Sequence, residues 1–90
     1  MRAQSVIDVE GPWVDPQWDS GLVERCRRHW ETPVNELPDA MVATFLNQSI
    51  ATNLMIEEAN RRLAAGLNDG SELFEGQLAD ALARAINSQR

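Results

Sequence analysis

Apolar positions recur at three- and four-residue intervals in four stretches of this chain. Clusters of proline, glycine and short polar residues separate the stretches, which is the pattern of amphipathic helices joined by turns. The first stretch runs from about Ser20 to Trp30. Val23, Cys26 and Trp30 share one face with Leu22 beside them, and Asp19 or Ser20 is placed to cap its first turn. Pro33 stops it, because a residue before proline avoids helical angles. A second helix is expected to start at Pro38, with Asp39 near the positive end of its dipole. Met41, Val42, Phe45 and Leu46 form its stripe, and Asn47-Gln48-Ser49 is a polar break after it. The third helix spans about Thr52 to Ala65, with Met55, Ile56, Ala59 and Leu63 inward and Gly66 as its end. Leu54 falls on the polar side, where it meets another segment or awaits a partner. Glu57 with Arg61, and Glu58 with Arg62, are spaced as surface ion pairs.

Residues 67–75 read as a turn-rich connection from which Leu73 and Phe74 tuck back onto the core. The last helix covers about Gly76 to Asn87, with Leu78, Leu82 and Ile86 in a row and Ala81 and Ala85 beside them. Residues 1–18 form an irregular leader packed on the core. Val6 to Glu10 alternates briefly as an extended piece would, and Gly11-Pro12 and Asp15-Pro16 stop regular structure. Trp13 and Trp18 lie in this leader and are expected to pack over the core. The fold class is therefore all-α, a small bundle or array of about four helices in one domain, residues 19–90, behind the leader.

Charge changes the picture next. Fourteen acids face eight arginines and no lysine, a net charge of −6. A nucleic-acid or anionic-membrane surface would need a basic patch, so neither partner is expected. A basic macromolecular partner suits the field better. Without lysine there is no Schiff-base chemistry. The lone Cys26 closes no internal disulfide, and it reads as a small buried hydrophobe. Met1-Arg2-Ala3-Gln4-Ser5 is not followed by a signal-peptide apolar core, and no apolar run reaches membrane-spanning length. The cytoplasm is the expected compartment. His29 stands between Arg28 and Trp30, and no Cys/His/carboxylate group has ligand spacing, so no metal and no cofactor are expected.

The order of short motifs resembles a known family. Glu10-Gly11 precedes Trp13, and Leu22-Val23-Glu24-Arg25-Cys26-Arg27 follows. Then come Thr32-Pro33, Glu36-Leu37 and Pro38-Asp39, followed by Phe45-Leu46-Asn47-Gln48-Ser49-Ile50-Ala51. Glu72-Leu73-Phe74-Glu75-Gly76-Gln77-Leu78 closes the series. This series is similar to that of the immunity proteins of bacterial contact-dependent growth inhibition systems, and the likeness covers about residues 9–86. Phe74 stands where the family usually has tyrosine, Gln77 where it usually has aspartate, and Ala51 where glycine is common. A binding role of that aspartate therefore does not carry over. The resemblance implies a protein without catalysis that binds the C-terminal toxin domain of a sender cell, often a nuclease, and blocks its active site or its substrate.

Candidate contacts follow from where the acids gather. Asp8, Glu10, Asp15 and Asp19 form one group, and Glu31, Glu36, Asp39, Glu57 and Glu58 a second. Asp69, Glu72, Glu75 and Asp80 form the third, on a loop and a helix start, where a rigid scaffold presents side chains. These four are the preferred toxin contacts, with Trp13 as an apolar anchor. The plainer explanation of each acid is solvation or helix-end chemistry. Arg25, Arg27 and Arg28 make the one dense basic run, with Glu24 and Glu31 beside it. Two other functions fit a chain of this kind. A small helical chorismate mutase would need cations converging on a dicarboxylate, and a small-molecule substrate is not expected here. A helical regulator or adaptor would pair through an exposed apolar strip containing Leu54.

Overall fold

The computed structural model describes residues 3–14, 21–66, 69–72 and 76–88, and all regular structure among them is helical. The elements are α1 (Val6–Glu10), α2 (Gly21–Arg28), a 3-10 turn (Val34–Glu36), α3 (Asp39–Asn47), α4 (Thr52–Ala65) and α5 (Gln77–Ser88). Helices α3, α4 and α5 pack against one another, α2 rests on α3, and the 3-10 turn rests on α4. No described helix is long and apolar enough to cross a membrane.

The centre holds Phe45 and Val42 from α3, Met55 from α4 and Leu78 from α5. Ala43, Ala59, Ala81 and Ala85 are buried between them. Their small side chains let the axes of α3, α4 and α5, which have 9, 14 and 12 residues, approach closely. The α3 stripe is as expected: Met41, Val42, Phe45 and Leu46 are all buried. Pro38 is the residue before the helix, with an extended ψ of 149°, and not its first turn. The polar break at Asn47-Gln48-Ser49 ends α3. The chain reverses there through Ser49 and Ala51, with φ of 58° and 48°. Both are left-handed, a conformation that costs any residue with a Cβ roughly 1–2 kcal/mol. Ala51 is buried at this corner.

Two stripes differ from the spacing-based expectation. In α4 the buried positions are Met55, Glu58, Ala59 and Arg62. Ile56 is half-buried and Leu63 is 41% exposed, so the helix is turned toward its charged side. Leu54 packs against the core and is no isolated strip. In α5 the buried row is Leu78, Ala81, Leu82 and Ala85, and Ile86 is 41% exposed.

The N-terminal segment also departs from expectation at one place. Val6–Glu10 is a helical turn where the alternation suggested an extended piece. The Asp8 carboxylate accepts the Ser5 N–H at 2.8 Å, and the Asp8 N–H donates to the Ser5 carbonyl at 3.0 Å. That three-residue spacing from serine to an acid is a helix-start signal in its own right. Gly11 ends the turn at φ 83°. Backbone bonds then lace the segment to the stretch after α2. Ile7 N–H donates to Trp30 O at 3.0 Å, and Val34 N–H to Gln4 O at 2.8 Å. Val6 is thereby sealed beneath this connection. Trp18, the Asp19/Ser20 cap, Leu73 and Phe74 lie outside the described residues.

Candidate functional site

Arg62 is buried and bonds in three directions. Its Nε donates to Glu58 Oε2 at 2.6 Å, one terminal nitrogen to Asp39 Oδ1 at 2.8 Å, and the other to the Val34 carbonyl at 3.0 Å. The Arg62 and Asp39 side chains are 5% and 4% exposed. A planar guanidinium suits this task, because its donors diverge in fixed directions toward three separate elements. Arg61 closes on Glu58 from outside, through Nε to Oε1 at 3.0 Å and through a terminal nitrogen to Oε2 at 2.6 Å. Burial pushes the Glu58 carboxyl upward. The hydrogen bonds and charges of Arg61 and Arg62 outweigh that and hold it below the usual range. Glu57 takes no part, so the expected Glu57–Arg61 pair gives way to Glu58–Arg61.

Asp39 carries the network outward. Its Oδ2 accepts the Asp69 N–H at 3.2 Å, and its own N–H donates to Asp69 Oδ2 at 3.0 Å. The two residues thus clasp each other through reciprocal amide–carboxylate bonds. Ser71 Oγ accepts the next amide of α3, from Ala40, at 3.1 Å. Asp69 Oδ1 meanwhile accepts Ser71 N–H at 2.9 Å and Ser71 Oγ–H at 2.7 Å. Proline at position 38 has no side chain that can cap a helix, so the loop 69–71 supplies the cap from thirty residues away. Burial raises the Asp69 carboxyl, and the bonds from Ser71 and Asp39 prevail and lower it.

The same solution recurs at other helix starts. Glu72 Oε2 accepts Leu78 N–H at 2.7 Å in the first turn of α5. Glu10 Oε2 accepts Ala51 N–H at 2.9 Å just before α4. Asp8 serves α1. Much of the acidity of this chain therefore sits where helix amides and dipoles favour negative charge. Among the predicted contacts, Asp69 and Glu72 have these structural tasks, and Asp80 is paired with Arg84 at 2.6 Å on the exposed side of α5. Gln77 is buried at the start of α5. Glu75 lies outside the described residues. Among the described residues, the carboxylates of Glu24, Glu31, Glu36 and Glu57 are exposed and enter no ion pair. Glu36 borders a cleft of about 300 Å³ beside Asp39, Arg61 and Asp69.

Trp13 and Asp69 line different grooves. The Trp13 ring meets Trp30 edge-on at 4.9 Å between centroids, and Trp30 meets Phe45 at 6.4 Å. Trp30 Nε1 donates to Gly11 O at 2.8 Å, which satisfies the one polar atom of that indole. Trp13, Val14, Leu22, Trp30 and Ile50 line an open groove of about 250 Å³ with Cys26 at its base. Val14 is 81% exposed on its rim. Burial raises the Cys26 thiol above its usual range, against the opposing charge of Arg25. Burial, then Arg28, lowers His29.

Sequence reasoning missed the buried ion network because it placed Glu58 and Arg62 on the solvent side. A signal was present: Met55, Glu58, Ala59 and Arg62 are spaced at three, one and three residues, which is one helix face. Among the described residues, no buried side-chain polar atom lacks a partner, and no group of three His, Cys, Asp or Glu could hold a metal ion. Comparisons with protein-family models, curated proteins and solved structures give no significant match for this chain.

Proposed function

We propose that this chain is an immunity protein. It binds the C-terminal toxin domain of a contact-dependent growth inhibition system in the cytoplasm and neutralises it by covering the active site or the path of its substrate. The toxin domain is basic, as a nuclease is where it holds phosphates. The ordered motifs between residues 9 and 86 support this reading. So does the net charge of −6, which favours encounter with a cationic protein.

The observation that carries the proposal is the open groove of Trp13, Val14, Leu22, Trp30 and Ile50. An apolar groove bounded by an indole is the kind of place where protein interfaces concentrate their energy. The toxin domain inserts an apolar side chain there, and the unpaired carboxylates of Glu24, Glu31 and Glu36 supply the acidic surroundings.

The test uses the toxin domain that this reading expects in a neighbouring gene. The two purified proteins should co-elute as one complex, and added chain should abolish the toxin's activity at stoichiometric ratio. Trp13→Ala should weaken binding at least tenfold, or about 1.4 kcal/mol, with most of the change in the dissociation rate. Equal killing of cells with and without this gene would sink the proposal. Normal affinity in the Trp13 variant would move the contact elsewhere.

A further inference from the structure

We propose that Arg62 is the positioning residue for the loop 69–72, acting through Asp39, since its hydrogen bonds go to Glu58, Asp39 and the Val34 carbonyl. Arg62 fixes Asp39 Oδ1 at 2.8 Å, and this leaves Asp39 Oδ2 to hold the Asp69 amide at 3.2 Å. The backbone of Asp39 in turn receives Asp69, and that of Ala40 receives Ser71. A rotation of the Asp39 carboxylate would break its half of the clasp, and what prevents rotation is the guanidinium behind it. Arg62 is itself held from two other sides, by Glu58 and by the Val34 carbonyl. One side chain thus sets α4, the 3-10 turn, the start of α3 and the loop in a single arrangement.

A buried ion network adds little net stability relative to apolar side chains, since desolvation offsets its attraction. Its contribution is geometric, because apolar contacts would not dictate where a carboxylate oxygen points. The loop carries Asp69 and Glu72, whose carboxylates complete the starts of α3 and α5, so Arg62 governs how those caps are presented.

Amide hydrogen exchange followed by NMR on the intact chain, with no toxin present, tests the positioning role. In the unmodified chain the amides of Asp39, Ala40, Asp69 and Ser71 should all be protected. Arg62→Lys keeps the charge and loses the three-way fork. It should speed exchange at these four amides roughly tenfold or more, while those of Phe45, Ala59 and Leu82 keep their rates. Glu58→Gln disturbs the other arm of Arg62 and should leave the four amides protected.

Unchanged protection in Arg62→Lys overturns the proposal. So do equal losses in both variants, or an unmodified chain whose four amides are already open. If Arg62→Lys does not fold, Glu58→Met with Arg62→Met removes the cation together with the carboxylate of its own helix, leaves Asp39 without its guanidinium, and carries the same comparison. Failure of both to fold also overturns it, because Arg62 would then serve the whole fold and not the loop. None of these outcomes bears on toxin neutralisation, so the two proposals fail separately.

Discussion

Glu58 shows how far a single carboxylate can be committed. It accepts from both Arg61 and Arg62, and its folded form is held in the charged state against the pull of burial. Asp69 is shifted in the same downward direction by Ser71 and Asp39. A folded-state value below the unfolded one contributes stability at pH above the unfolded value, about 4, and loses it as pH falls through the folded value. Thermal midpoints should therefore decline slightly below about pH 6.5, where the unfolded chain protonates His29 more readily than the folded one, and should fall further below about pH 4. Glu58→Gln should cost about 2–3 kcal/mol at neutral pH, because Arg62 keeps a partner at Asp39 but loses one charge-assisted bond. The gap between variant and unmodified chain should narrow toward pH 2. A gap that stays constant down to that pH would show that Glu58 titrates at its ordinary value.

At the scale of elements, helix ends and helix rotation are the two features to test. The N-termini of α3 and α5 are completed by Asp69 and Glu72, residues that lie outside those helices. Glu72→Ala should lower stability by about 0.5–2 kcal/mol, the range for losing a helix cap. Thermal melting in the absence of any partner would register it as a drop of several degrees. Reversing charge at Glu72 thus disturbs the fold as well as any interface, and its effect on affinity is meaningful only beside that melting curve. Rotation of α4 and the exposure of Ile86 make a contrasting pair. Leu63→Gln and Ile86→Gln should each change stability by no more than about 0.5 kcal/mol, as at open surface positions. Leu82→Ala, one turn away from Ile86 and buried, should cost about 2–5 kcal/mol. A large loss in the Leu63 variant would contradict the turned α4.

For the molecule as a whole, the balance of charge decides how it meets a partner. Seven acids, Asp8, Glu10, Asp39, Glu58, Asp69, Glu72 and Asp80, bond within the fold. Such bonds leave the net charge of −6 unchanged. The proposed toxin should associate faster at low ionic strength, with the association rate falling at least several-fold between about 0.02 and 0.5 M salt and the dissociation rate changing little. Stopped-flow mixing would measure both. An association rate independent of salt would mean that the groove, and not the field, governs encounter.

Much of this was written in the order of the residues. Helix periodicity located four of the five α-helices, and Gly66 and the polar run Asn47-Gln48-Ser49 marked limits, while α2 ends at Arg28, before the expected Trp30. Local spacing suffices there, because a helix is a short-range structure whose caps and breakers act within one turn. It also assigned Cys26 to the interior and Trp30 to the packing around it. It did not reveal that Asp69 caps a helix thirty residues earlier, or that Glu10 holds an amide forty-one residues later. Nor did it show that Arg62 lies inside. Those bonds join parts of the chain with no local relation, and a charge is stable in the interior only where its partners converge from several elements. Periodicity therefore determined which segments are helical. The meeting of three helices, a turn and a loop decided which charged residues are buried and where each carboxylate points.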